Sequence, residues 1–281
     1  MRINDLLLEP KPTSPSIVQS AVVRLHADGS ANTINDDVAI EEPLEIRIGN
    51  NPFVVTMRTP GHDEELAAGF MVTEGIAGSK TDFKEISRCK LSTNPENTIR
   101  VRFSGSIPLE DIQSNRFGAI SSSCGVCGKT SIDSIKQSYP EIDSKCVIDR
   151  KTLLALPDIL RKNQIIFDRT GGLHSSGLFD SEGKLVCLRE DVGRHNALDK
   201  AIGYAVLNDL WPLDNHILLV SGRVSFEIIQ KALAARIPIV AAVSAPSSLA
   251  ISFARECGQT LVGFLRHPKM NVYSHPQRIS G

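Results

Sequence analysis

A strand, a helix and a second strand are predicted by residues 216–243, which read HILLVSGRVSFEIIQKALAARIPIVAAV. Residues 216–221 and 237–243 are mostly apolar runs of strand length, bounded by turn residues. Between them, Phe226, Ile229 and Leu233 fall on one face of a helix over residues 225–235. The order indicates two parallel strands joined by a helical crossover.

The alternation of predicted strands and helices continues on both sides of this unit. Strands that alternate with helices of this length are typical of a parallel sheet covered by helices, so the second half of the chain is predicted to be an α/β domain. The flanking elements are a hairpin over residues 175–180 and 184–189, a helix over 195–208, a helix over 247–257 and a last strand over 260–265.

The strand and helix order after Gly171 resembles the cytidine-deaminase fold, and a deaminase-like α/β domain is expected over residues 151–281. That family binds zinc through a His/Cys-x-Glu motif and a Pro-Cys-x-x-Cys motif at two helix starts. Here the corresponding stretches read HNA at residues 195–197 and GRVSF at residues 222–226, without the glutamate and without either cysteine. We therefore expect the scaffold without a zinc centre.

The first half of the chain is predicted to be a smaller α+β domain over residues 16–120. It contains one helix, which begins with three acids at residues 63–65 and carries Leu66 and Phe70 on one face. Residues 1–15 are expected to form a flexible tail, and residues 121–150 a cysteine loop and linker. The predicted strands of this half are residues 17–25, 44–48, 52–57 and 98–103.

The overall charge argues against several classes of partner. Lys and Arg number 31 against 32 Asp and Glu, which leaves a net charge of −1. A general nucleic-acid coat or a membrane-surface binder is therefore not expected. The N-terminus lacks the pattern of a signal peptide, and the longest apolar run, residues 237–243, is too short to span a bilayer. We expect a cytoplasmic protein.

Three strand-to-helix junctions of the second half, residues 189–196, 221–225 and 244–248, contain glycine or serine, and Arg194 and Arg223 lie in the first two of them. Ligands of open α/β sheets bind outside the carboxyl ends of the strands, where helix N-termini and cations favour phosphate groups. Each junction alone is explained as an ordinary turn, but together they predict a polyanion pocket, although neither a P-loop nor a G-x-G-x-x-G motif is present. His174 is a further candidate, with a structural role as its alternative. The candidate pocket residues are Arg194, His195, Ser221, Gly222, Arg223 and Arg266.

Two of the six cysteines, Cys124 and Cys127, form a Cys-x-x-Cys pair between glycines, and the other four are expected to be small buried residues. Such a pair can hold half of a zinc site, cycle between dithiol and disulfide, or carry sulfur as a persulfide. A closed zinc site needs a second pair of ligands, and a thioredoxin-like centre should open a helix. The glycine-flanked loop and the adjacent Lys129 favour a sulfur-carrying thiolate, with the other two roles left as alternatives.

Several motifs together resemble the FdhD family of formate dehydrogenase accessory sulfurtransferases, from about residue 18 to the C-terminus. These motifs are RTPGHDEELAAGF at residues 58–70, SCGVCG at 123–128, TGGLH at 170–174, EDVGRHNALDK at 190–200 and SGR at 221–223.

The resemblance implies a homodimer that takes sulfur from a cysteine desulfurase as a persulfide on Cys124, with Cys127 assisting. It would pass this sulfur to the molybdenum or tungsten bis(molybdopterin guanine dinucleotide) cofactor of formate dehydrogenase. The alternative is a non-catalytic chaperone of that cofactor, with the cysteine pair as a redox or zinc clip and no intrinsic metal otherwise. The cofactor-binding stretch would fall on Phe264, Leu265, Arg266, His267, Pro268 and Lys269.

Overall fold

The computed structural model describes residues 11–14, 16–90, 92–105 and 140–281, and these residues form a mixed α/β structure. The α-helices within these ranges are α1 Asp63–Thr73, α2 Arg150–Asn163, α3 Ile165–Thr170, α4 Arg194–Leu207, α5 Phe226–Ala234 and α6 Ser248–Glu256.

The strands of the first half are β1 Lys11–Ser14, β2 Ile17–Leu25, β3 Ala31–Ala39, β4 Glu42–Ile48, β5 Asn51–Arg58, β6 Phe83–Arg88 and β7 Thr98–Phe103. Those of the second half are β8 Ile148–Asp149, β9 His174–Asp180, β10 Leu185–Asp191, β11 His216–Val220, β12 Ile239–Ala242, β13 Thr260–Arg266, β14 Lys269–Ser274 and β15 Ile279–Ser280.

A six-stranded sheet with the order β10-β9-β11-β12-β13-β14 forms the centre of the second half. Strands β11, β12 and β13 are parallel, as the alternation of strands and helices predicts, while β9 and β14 run in the opposite direction. The parallel strands are buried almost along their whole length, which explains their continuous apolar sequence. The α/β class is confirmed for this half, and the deaminase-like arrangement stays a prediction.

The first half contains a four-stranded sheet, β5-β4-β7-β6, and a three-stranded sheet, β1-β2-β3. Strands β2 and β7 have the predicted bounds, whereas β3, β6 and β14 were not expected from the sequence. Part of the expected tail, residues 11–14, pairs with β2 as strand β1. The sequence also predicts a helix over residues 130–137, and these residues lie outside the described ranges.

The two halves share one hydrophobic core. A continuous cluster of buried side chains runs from Leu44 of β4 through Met71 of α1 and Leu198 of α4 to Leu218 of β11. A second cluster fills the other face of the six-stranded sheet beneath α2. Within the described ranges, no helix is long and apolar enough to cross a membrane.

Helices α1 and α4 cross in backbone contact at two glycines. A methyl group on Gly69 would overlap the carbonyl group of Asp199, and one on Gly203 would overlap the carbonyl group of Glu65. Each glycine therefore lies directly against the backbone of the other helix. Only a residue without a side chain permits this approach, so the crossing depends on both positions.

Replacing Gly69 by alanine should destabilise the protein, although alanine is the better helix former by about 1 kcal/mol. Steric overlap with a backbone carbonyl cannot be relieved by a side-chain rotation, so we expect a loss of about 3 kcal/mol in the free energy of unfolding. Urea denaturation measures this change. The matched control is Gly105→Ala, where the added methyl group meets no atom within 4 Å. Equal stability of the two variants would contradict the close crossing.

Candidate functional site

The strand-to-helix junctions singled out in the sequence meet at one edge of the six-stranded sheet. Asp191 at the end of β10 pairs with His174 at the start of β9, and Val220 at the end of β11 pairs with Ala242 at the end of β12. Strands β10, β11, β12 and β13 point their carboxyl ends towards this edge, because β9 is antiparallel to both β10 and β11. The edge is therefore the place where such a sheet binds its ligands.

Backbone hydrogen bonds join the junctions to one another. The Ser221 N–H donates to the carbonyl oxygen of Ser175 at 3.0 Å, and the Ser175 N–H donates to Ser221 Oγ at 2.9 Å. The Val224 N–H donates to the carbonyl oxygen of Ala245 at 3.1 Å. Some of the serines of these loops are therefore used to join the loops to one another. The same bonds hold in place the loops that carry the basic residues.

The N-termini of two helices open onto this edge without a side-chain cap among the described residues. Helix α4 begins after Gly193, which has no side chain to cap it, and helix α5 begins after Ser225, whose hydroxyl accepts no hydrogen bond from the first turn. Helix α6, by contrast, is capped by Ser247, whose side chain accepts from the Ala250 N–H at 3.2 Å. Two of the three N-termini thus keep amide donors for an anion.

Four basic residues gather around these two N-termini. Arg194 and His195 form the first turn of α4, Arg223 lies exposed between β11 and α5, and His174 lies beside Gly222. A methyl group on Gly222 would lie 3.1 Å from His174 Nδ1, so a side chain at this position would crowd the imidazole. The Nε of Arg194 is buried and has no hydrogen-bond partner among the described residues.

The electrostatic field of this cluster is positive. Burial lowers the pKa of His174 below its ordinary value, and the charges of Arg194, His195 and Arg223 lower it further. Burial disfavours charge of either sign, but the positive charges that lower the pKa of His174 also attract a negatively charged ligand.

His195 has one acidic partner, which the sequence did not reveal. Its Nε2 lies 2.6 Å from a carboxylate oxygen of Glu227 and 3.4 Å from Ser225 Oγ. Burial raises the pKa of Glu227, but the hydrogen bond and charge of His195 outweigh this and bring the pKa below its ordinary value. Glu227 is therefore ionised at neutral pH.

A fully buried ion pair holds the start of α4 against the first half of the chain. Lys200 Nζ lies 2.7 Å from an Asp191 carboxylate oxygen and donates to the carbonyl oxygen of Thr59 at 2.7 Å. The same carboxylate accepts from the N–H groups of Thr59, at 3.1 Å, and Gly193, at 2.8 Å. These contacts explain why the stretches RTPG and EDVGRHN, 132 residues apart at Thr59 and Asp191, lie together.

The first of these stretches is itself anchored by charge. The buried Arg58 guanidinium makes two bonds to Asp63 at the start of α1, at 3.0 and 3.1 Å. This bidentate geometry orients the chain that leads to Thr59.

The predicted cofactor-binding stretch lies at the turn between β13 and β14. Phe264 adopts a positive φ of 51°, and its N–H donates to the carbonyl oxygen of Ser244 at 3.0 Å. Leu265 is fully buried in the core beneath α2, so its side chain packs the sheet. The exposed members are Arg266, His267, Pro268 and Lys269.

A cavity of about 630 Å³ adjoins the edge on the α2 side of the sheet. This volume is within the range of cavities that hold small organic ligands, and its wall combines apolar side chains with a few polar ones. It shares His174 and Ser221 with the cationic edge, so one ligand can occupy both. The remaining wall comes from Pro157, Asp158, Leu160, Arg161, Gln164, Phe167, Gly171, Gly172, Leu173 and Val243.

The predicted sulfur-carrying residues, Cys124 and Cys127, lie outside the described residues. Cys89, Cys146, Cys187 and Cys257 are buried free thiols, as expected from the sequence. Burial raises the pKa of Cys187 to about 12, and it also raises the pKa of Cys146. Since the thiolate is the nucleophile, these two residues are poor competitors for sulfur. Among the described residues, no three His, Cys, Asp or Glu side chains are grouped so that they could hold a metal ion.

Fold and site thus define an α/β protein with a cationic sheet edge beside a ligand-sized cavity. Residues 39–280 match the sequence model of the FdhD/NarQ family, and the chain belongs to this family. The resemblance found in the motifs is therefore confirmed.

Relatives of known description agree with this assignment. A Streptomyces coelicolor protein described as "Sulfur carrier protein FdhD" is 48% identical over 266 residues, which cover 92% of this chain and 94% of the relative. A protein of Picrophilus torridus with the same description is 45% identical over 251 residues, covering 88% and 93%. A crystal structure from Desulfotalea psychrophila, described as a candidate formate dehydrogenase accessory protein, superimposes with a TM-score of 0.75 at 25% identity. It covers 95% of this chain and all of that one.

Removing Arg223 should raise the pKa of His174, because the arginine charge opposes protonation of the imidazole. Titration of the His174 ring by NMR in the wild type and in Arg223→Ala measures the shift. The matched control is Lys184→Ala, which removes an exposed cation from the β9–β10 turn at the opposite edge. An unchanged His174 pKa in Arg223→Ala would show that the charge of Arg223 does not act on His174.

Proposed function

We propose that this chain is a sulfur carrier that serves the maturation of formate dehydrogenase. It accepts sulfur from a cysteine desulfurase as a persulfide on Cys124 and passes it to the molybdenum or tungsten bis(molybdopterin guanine dinucleotide) cofactor. The cofactor is cargo, and it leaves the carrier for insertion into the dehydrogenase. Two kinds of observation support the proposal: the descriptions of the relatives, and the cationic edge beside the cavity.

The cationic edge is the feature that best supports the proposal that the protein binds the cofactor. The guanine dinucleotide halves of the cofactor contain pyrophosphates, which need cations and free amide donors. Arg194, His195 and Arg223 and the N-termini of α4 and α5 supply both at one edge. The adjoining cavity has room for a flat ring next to the phosphates.

The cysteine pair carries the sulfur half of the proposal. The Cys124 thiolate attacks the terminal sulfur of the desulfurase persulfide, and the desulfurase thiolate leaves. The Cys127 thiolate can then attack the inner sulfur of the Cys124 persulfide, which releases hydrosulfide and leaves a disulfide between the two residues. Delivery through a second thiol in this way balances the two electrons that convert persulfide sulfur to sulfide.

Replacing Cys124 by alanine should abolish persulfide loading and formate dehydrogenase maturation while leaving guanine-nucleotide binding intact, because loading and binding use different residues. Mass spectrometry after incubation with cysteine desulfurase and cysteine measures loading on the peptide that contains residues 121–129. A carrier gains one or more sulfur masses on this peptide, whereas a zinc or redox clip gains zinc or loses two protons. Full maturation by Cys124→Ala would contradict the assignment.

The converse variant is Arg266→Ala, which should weaken guanosine diphosphate binding and leave persulfide loading unchanged. Arg266 is an exposed cation on the β13–β14 turn, so its removal should lower the affinity by about tenfold. Calorimetric titration measures the change, with Lys184→Ala as the control of equal charge at the opposite edge. Equal affinities of the two variants would remove Arg266 from the site.

A homodimer, as the family resemblance implies, remains a prediction, and the mass of the protein in solution tests it.

A further inference from the structure

Two ion pairs join α4 and α5, one helical turn apart. The upper pair, at the sheet edge, is His195 with Glu227 at 2.6 Å, and the lower pair is Asp199 with Lys231 at 2.8 Å. On each helix the two members are four residues apart, so they lie on the same face, one above the other. The result is a ladder of two rungs between two parallel helices.

The lower rung is a structural anchor. Asp199 and Lys231 are buried, and Thr73 of α1 donates to Asp199 at 2.9 Å and accepts from Lys231 at 2.9 Å. In the upper pair the acid is on α5, whereas in the lower pair the acid is on α4. A slip of α5 by one turn would therefore bring His195 against Lys231, cation against cation. The lower rung thus fixes the register that places Glu227 beside His195.

The upper rung is built differently, because it reaches the surface. The His195 side chain is 21% exposed and the Glu227 side chain 10%, compared with 10% for Lys231 and 2% for Asp199, so it is His195 that reaches the surface. Nε2 of His195 is engaged by Glu227, while Nδ1 has no hydrogen-bond partner among the described residues. The imidazole therefore pairs with the protein through Nε2, and its Nδ1 is available to a ligand at the cationic edge.

We propose that Glu227 is a positioning residue: its carboxylate forms an ion pair with the protonated His195 imidazole on the Nε2 side, and so directs the Nδ1–H donor of this imidazolium towards a phosphate group of the ligand. This inference rests on the proposed function, and it assigns a role to a residue that does not itself contact the ligand. The charged neighbours fit this role. Arg194 and Arg223 add positive charge to the cluster that contains His195, and the buried carboxylate of Glu227 compensates part of it before the anion arrives.

The test is the affinity for guanosine diphosphate, the probe used here, by calorimetric titration. Glu227→Gln and His195→Gln should each bind about tenfold more weakly than the wild type, because each removes a charge-assisted hydrogen bond. The double variant should bind no more weakly than His195→Gln alone, since Glu227 acts through His195. Additive losses, or an unchanged affinity of Glu227→Gln, would overturn the proposal.

A spectroscopic measurement separates positioning from a general structural effect. In the complex with guanosine diphosphate, the ¹⁵N shifts of the His195 ring should show both nitrogens protonated in the wild type and only one of them protonated in Glu227→Gln. Glu227→Asp keeps the charge but draws the carboxylate back by one methylene, so it should resemble Glu227→Gln if reach matters. Glu182→Gln, on the exposed β9–β10 turn, is the matched control and should change neither measurement.

The failures are distinguishable. If the wild type binds no guanosine diphosphate, the proposed cofactor site fails and this inference fails with it. If the wild type binds and Glu227→Gln binds equally well with the same protonation of the His195 ring, only the role of Glu227 is overturned and the proposed function stands.

Discussion

The backbone contact between α1 and α4 at Gly69 and Gly203 is the constraint on which the rest of the structure depends. It brings the first half of the chain close enough for Thr59 to bond to Asp191, and for Thr73 to bond to Asp199. Buried ion pairs add little net stability compared with apolar packing, but a buried charge left without its partner costs about 3–5 kcal/mol. The buried pairs therefore act mainly against wrong arrangements of the helices, because a shift at the crossing would remove the hydrogen bonds that Lys200 and Lys231 donate to Thr59 and Thr73.

The chemistry of the sheet edge follows from this arrangement. Helix α4 starts where β10 ends, and Asp191 and Lys200 fix that start against the first half. Helix α5 starts where β11 ends, and Asp199 and Lys231 fix it against α4. Arg194, His195 and Arg223 are consequently held around two uncapped N-termini by contacts that lie one turn deeper in the protein. The hydrogen-bond donors at this edge are already held in position, so binding of an anion there requires little further ordering of side chains and loops.

Local patterns predicted the elements whose sequence alone determines them. The run over residues 216–243 gave β11, α5 and β12 within two residues, because strands buried on both faces must be apolar throughout. Strand β3 escaped prediction, since its polar residues 31–39 form a strand only by pairing with β2 along its whole length. The meeting of the junctions followed from the rule for carboxyl ends, but Glu227 did not, because its role depends on how α4 and α5 lie side by side. Nothing in the local sequence SFE marks that carboxylate as the partner of a histidine 32 residues earlier.

The central claim is that the cationic edge holds the phosphate groups of the cargo. A crystal structure of the protein with guanosine diphosphate tests this claim most directly. The electron density should place the phosphates at the N-termini of α4 and α5, within hydrogen-bond distance of Arg194, Arg223 or His195 Nδ1. The base should lie in the adjoining cavity beside His174. Phosphates bound away from this edge, with the three side chains unengaged, would contradict the claim.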